Sequence, residues 1–68
     1  MKKLTQAREA MECTRTELGR RARIHPSREG SIELWRVLPY PVELKRLARA
    51  LSWQGDPDLL LEEVDDDG

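Results

Sequence analysis

Apolar positions along this chain recur at helical spacing. Leu4, Ala7 and Met11 fall at i, i+3 and i+7, with Arg8 standing inside the same stripe, which predicts a first helix over about 2–12. Thr14 followed three residues later by Glu17 forms a capping box ahead of Leu18 and Ala22, so a second short helix runs over about 14–22. Ile24-His25-Pro26 then reads as a turn, because the proline holds His25 out of the α-region and itself suits the first turn of a third helix over about 26–35. Val37-Leu38-Pro39-Tyr40-Pro41 carries two prolines one residue apart and reads as an extended connector packed through Leu38 and Tyr40. From Pro41 the helical stripe returns as Leu44, Leu47, Ala48 and Leu51, with Lys45, Arg46 and Arg49 on other faces, which predicts a fourth helix over about 41–52. Gly55 interrupts, and Asp56-Pro57-Asp58 supplies an N-cap and a first-turn proline for a last helix over about 57–64, carrying Leu59, Leu60, Leu61 and Val64. Residues 65–68 read as a loose acidic tail. The expectation is a compact all-α domain of five helices over 1–64, without internal repeats.

Composition narrows what such a domain does. Charged residues make up 37% and aromatics 4%, with no Phe, which argues against a β-sandwich. At 68 residues the chain is one domain, and below about 70–80 residues a single core supplies only about 3–5 kcal/mol. A large enclosed active-site cavity is therefore not expected, and a binding module is expected rather than an enzyme. With Cys13 and His25 the only residues of their kinds, there is neither an internal disulfide nor a zinc set to assemble, and no metal or cofactor is expected. No apolar run approaches the roughly 18 residues of a membrane span, and the start lacks the apolar stretch of a signal peptide. A soluble cytoplasmic protein without membrane contact is the expectation.

The net charge of -1 hides an asymmetry. Residues 1–50 hold all twelve Lys and Arg and six acids, whereas residues 51–68 hold seven acids and no base. The chain is a basic body followed by an acidic tail. The body has the electrostatics of a nucleic-acid-binding domain, and the tail either improves solubility or competes with phosphate for Arg15, Arg28 and Arg36.

Several fragments occur in an order that points to one family: Arg8-Glu9 in the first helix, Thr14-x-x-Glu17-Leu18, Ile24-His25-Pro26-Ser27-Arg28, Ile32-Glu33, and the run from Pro39 to Leu51. Over Leu4 to Val64 the chain resembles the Cro and lambda-repressor-like (XRE-type) helix-turn-helix DNA-binding family. The resemblance implies a compact five-helix domain acting as a sequence-specific transcriptional regulator on double-stranded DNA in a prokaryotic or phage setting, with helix 26–35 in the major groove. It also implies that Arg8 pairs with Glu33. That agrees with periodicity, since a charge inside an apolar stripe needs a partner.

The departures from the family pattern cluster around the reading unit. Glu12, Arg23 and Trp35 stand where the family has glycine, a residue that enters the left-handed region without steric cost. Gly19 replaces a usual alanine, at about 1 kcal/mol to the helix. Glu29 replaces a buried aliphatic residue, and Gly30 a polar one.

In such a domain the start and outer face of the third helix read bases. Here that face offers His25, Ser27, Arg28 and Ser31, with Leu34 beyond them. Arg28 alone among them can grip guanine with both nitrogens, so direct readout is thin. Phosphate contact falls to Thr14, Arg15 and Thr16 at a helix N-terminus, and to Arg36. His25 otherwise reads as a turn residue and Cys13 as a small core filler. Trp35 is either core or a partner-binding surface. Three consecutive leucines cannot all face one core, which leaves Leu60 or Leu61 as a homodimer contact. The alternative to DNA reading is the same fold redirected to a protein partner, motivated by Glu29, Gly30 and Trp35.

Overall fold

The computed structural model describes residues 1–64; the predicted tail 65–68 lies outside them. The described residues form four α-helices, α1 (Lys3–Ala10), α2 (Arg15–Ala22), α3 (Pro26–Glu33) and α4 (Pro41–Ala50), followed by a 3₁₀ helix, Pro57–Leu61. The domain is thus all-α, but its fifth element is a single short 3₁₀ turn rather than an α-helix to Val64. The reason lies in the chain's two ends. Glu62 is extended, its carbonyl accepts from the Lys3 N–H at 2.8 Å, and the Val64 N–H donates to the Met1 carbonyl at 2.8 Å. Residues 62–64 lie antiparallel to the N-terminus, bridged at Lys2 and Glu63, so their backbone groups are satisfied by pairing instead of by a further helical turn.

The helix starts are built as their residues dictate. Thr14 and Glu17 close the capping box of α2, with the Thr14 hydroxyl accepting from the Glu17 N–H at 3.1 Å. Proline at the first helical turn opens α3, α4 and the 3₁₀ helix. The helix ends share a different device. Glu12, Arg23, Trp35 and Ser52 follow α1, α2, α3 and α4 with φ of 54°, 59°, 64° and 53°. In each case the next residue's N–H reaches back to a carbonyl in the last turn: Cys13 to Arg8, Ile24 to Gly19, Arg36 to Ser31 and Trp53 to Ala48, at 2.8–3.2 Å. This is the Schellman arrangement that glycine usually completes. It stops three helices short of the predicted 12, 35 and 52.

One core forms from Leu4, Leu18, Ile32, Leu47 and Leu60, each fully buried, with Cys13, Ala22, Ile24, Leu44, Ala48 and Leu51 around them. The connector is not packed through Leu38 and Tyr40, which are 74% and 66% exposed; Val37 packs on the core in their place, while the Tyr40 ring lies 5.1 Å from the Arg28 guanidinium. Gly19 is a close-approach glycine rather than a weak spot in α2. A Cβ there would stand 2.8 Å from the Ile24 carbonyl oxygen and 3.3 Å from the Pro26 Cα, so its absence lets the turn fold back onto α2.

Candidate nucleic-acid interface

The α2–α3 pair is joined by Arg23, Ile24 and His25. Its geometry is set from beneath α3. Glu33, on the buried side of that helix, accepts from the Arg8 Nε at 2.9 Å and from the Thr5 hydroxyl at 2.9 Å, and the Arg15 Nε stands 3.5 Å away. Arg8 also donates through Nη1 to the Cys13 carbonyl at 2.8 Å, so one guanidinium ties α1, the α1–α2 turn and α3 together. Burial alone would raise the Glu33 carboxyl, but hydrogen bonds from Glu29, Arg8 and Thr5 outweigh it and hold the group below the usual carboxylate range.

Glu29 lies one turn before Glu33 and is fully buried. Neither of its oxygens has a hydrogen-bond donor in reach. Burial first, then the hydrogen bond with Glu33 and the charge of Glu33, push its carboxyl up to about 9, against the pull of Arg8 and Arg15. A proton on Glu29 is the donor that a hydrogen bond between the two carboxyls requires, since Arg8 and Thr5 donate to Glu33 and not to Glu29. At neutral pH the pair therefore carries one negative charge. Lys2, fully buried beside this group, donates its ammonium to the Ile32 carbonyl and stands 4.1 Å from the centroid of the Trp35 ring. Burial lowers its affinity for a proton and Glu33 opposes that. Nothing in the spacing of the sequence marks Lys2 as buried; its position follows from the pairing of the two chain ends.

The outer face of α3 is polar and small. His25 and Ser27 are exposed and Ser31 half-buried. The His25 Nδ1 accepts from the Ser27 N–H at 3.2 Å and lies 2.8 Å from the Ser27 hydroxyl, while the Ser31 hydroxyl donates to the Ser27 carbonyl at 3.0 Å. Arg28 is engaged elsewhere. Its Nε and Nη2 donate to the two oxygens of Glu43 at 2.6 and 2.8 Å, the forked pairing it would otherwise offer a guanine. That hydrogen bond raises the Arg28 guanidinium further and draws Glu43 below the usual carboxylate range. No spacing rule marks Glu43 as its partner, since the two stand fifteen positions apart across the connector.

The predicted phosphate contacts divide similarly. The Thr14 hydroxyl serves the capping box and Arg15 leans on Glu33, whereas Thr16 and Arg36 are exposed and make no side-chain hydrogen bond or ion pair among the described residues. Trp35 is 53% exposed, so it is not a core residue. Leu60 is fully buried and Leu61 packs partly against the core; Leu60 is closed to a partner, and Leu59 is the leucine turned outward. Leu34, Trp35, Leu38, Tyr40 and Val42 instead form an exposed apolar stretch from the end of α3 to the start of α4. No helix among the described residues is long and apolar enough to cross a membrane. No family model matches the chain, and neither does any curated protein or solved structure.

Proposed function

We propose that this protein is a non-catalytic, sequence-specific DNA-binding regulator of the Cro/repressor helix-turn-helix type, with α3 laid in the major groove. One observation carries the reading: the inner face of α3 is buried at Ile32, Glu29 and Glu33 while its outer face is polar, exposed at His25 and Ser27 and half-buried at Ser31. A rigidly held helix with a free polar face is what groove insertion requires. With Arg28 held by Glu43, direct readout rests on short side chains, so phosphate contacts from Arg15, Thr16 and Arg36 and the shape of the duplex carry a larger share.

Selection from a randomised duplex pool tests this. A recurring site should emerge, its log affinity should fall steeply with log salt at a slope of about -0.9 per neutralised phosphate, and Ser27→Glu should abolish it while the helical circular dichroism is unchanged. Enrichment no better than random, or selection indifferent to Ser27→Glu, overturns the reading.

The exposed stretch Leu34, Trp35, Leu38, Tyr40 and Val42 favours a second reading, a helix-turn-helix module that docks a protein. Under it, a defined protein co-purifies with the chain, and Trp35→Ala releases it while weak DNA binding is insensitive to Arg28→Ala.

A further inference from the structure

The nine arginines of this chain divide by whether a carboxylate stands near them. Arg8, Arg15 and Arg28 each stand within 4 Å of a carboxylate. Arg21 and Arg23, at the C-terminal end of α2, and Arg46 and Arg49, on α4, do not form an ion pair among the described residues. These four converge. Together with the short side chains of Ala22 and Ala50 they line one open cleft of about 340 Å³. A second recess of about 280 Å³, lined by Val42, Lys45, Arg46 and Arg49, adjoins it through the two shared arginines.

Gathering four exposed guanidiniums on one face creates a positive potential that water and salt screen and that a polyanion relieves. The C-terminal ends of α2 and α4 each contribute roughly half a negative charge, about one in all against four. The carbonyls that would express it are in part already used, since those of Gly19, Arg20, Ala48 and Arg49 accept backbone N–H groups at the helix ends. Glu43 feels Arg46, but both its oxygens are taken by Arg28, and one also by the Tyr40 N–H. Among the described residues, most of the positive charge is uncompensated.

Guanidinium forks fit carboxylate and phosphate alike, and the count of charges separates the two. One carboxylate brings a single negative charge, whereas linked phosphates bring several. The cleft holds on the order of ten water volumes, room for more than one phosphate. We propose that the Arg21–Arg23–Arg46–Arg49 cleft binds linked phosphates, supplied either by a free polyphosphate group or by successive phosphates of a nucleic-acid backbone. The site shares none of His25, Ser27 and Ser31 and does not rest on groove reading by α3.

Titration calorimetry of the whole chain with inorganic tripolyphosphate, a random-sequence duplex and a poly-glutamate peptide tests the site, with Arg46→Gln/Arg49→Gln as the variant. Tripolyphosphate binding that weakens at least tenfold in the variant identifies a free polyphosphate site. Duplex binding that weakens tenfold, with no tripolyphosphate binding, identifies the backbone as the source. Binding of neither, binding indifferent to the variant, or poly-glutamate bound as tightly as tripolyphosphate overturns the proposal. Amide chemical shifts of the unaltered chain give a second readout should the variant not fold. Added tripolyphosphate, or duplex where only duplex binds, should move residues 21–23 and 46–50, and shifts confined elsewhere overturn it.

Discussion

The seam between α1 and α3 and the cleft between α2 and α4 are both built on arginine, and they use it in opposite ways. In the seam, Arg8 and Arg15 meet Glu33 beneath α3, with Thr5 and the Cys13 carbonyl completing the hydrogen bonds. In the cleft, four guanidiniums face solvent with no carboxylate at hand among the described residues. A buried charge must be matched by the protein itself, because leaving it unmatched removes hydration with no return. An exposed charge is matched by water, and is then free to exchange water for a ligand. The seam thus governs whether α3 is held, and the cleft governs what the surface can attract.

The largest effect expected from this contrast is on the seam. Arg8→Ala leaves Glu33 buried with Thr5 and a more distant Arg15, and breaking one partner of a buried pair costs about 3–5 kcal/mol. A single core of this size supplies only about 3–5 kcal/mol. The variant is therefore expected to be unfolded at 25 °C, read as loss of the helical signal in far-ultraviolet circular dichroism. A variant that keeps its helices and melts within a few degrees of the parent erases the distinction between seam and cleft.

Glu29 is where the seam is over-supplied with acid. Its folded carboxyl titrates at about 9 against an ordinary value of 4.5. Between those values the folded chain keeps a proton that the unfolded chain has released. Its contribution to stability is therefore complete below the ordinary value and falls by about 1.4 kcal/mol per pH unit as pH rises through the window. Glu33 has the opposite sign: its pKa is lowered, so its contribution is lost as pH falls below the usual carboxylate range. Stability should peak near the acid end of the window. Glu29→Gln keeps a donor for Glu33 and has nothing to ionise, so it should flatten the decline and gain on the order of 3 kcal/mol at pH 7. Urea midpoints at pH 5, 7 and 9 measure this, and parallel profiles for the two chains would show that Glu29 is solvated after all.

Much of the seam was legible in the sequence and little of the cleft was. Arg8 interrupts an apolar stripe and Glu29 stands three residues before Ile32, so periodicity puts two charges on buried faces, while Glu33 as the partner of Arg8 rests on the family resemblance. Lys2 carries no such mark, because its burial depends on residues 62–64 returning to the N-terminus. The 3₁₀ ending has the same cause: a local pattern of leucines lost to a long-range backbone pairing. Spacing places Arg46 and Arg49 off the apolar stripe of α4 and does not single out Arg21, and only packing of the two helices makes a cleft of them. Gly19 misled for a similar reason, since helix propensity cannot see the Ile24 carbonyl that lies against it. Of the candidate reading face, Ser27 and Ser31 are placed by helical spacing and His25 by the family resemblance, while Glu43's hold on Arg28 depends on the path of the connector.

The smallest effect separates the two regions at a single residue. Arg23 lines the cleft and also ends α2 with φ of 59°, a conformation that costs a residue with a Cβ roughly 1–2 kcal/mol. Arg23→Gly removes that strain, offset in part by the greater freedom of glycine in the unfolded chain, and should stabilise the fold by about 1 kcal/mol while weakening tripolyphosphate binding. Ser52→Gly is the matching control. It ends α4 with φ of 53° and does not line the cleft, so it should bring a similar gain in stability and no change in anion affinity. Paired denaturation and calorimetry on the two variants read both quantities. Equal anion affinities would mean that Arg23 is only a helix end, and the cleft would then have to be drawn from Arg21, Arg46 and Arg49 alone.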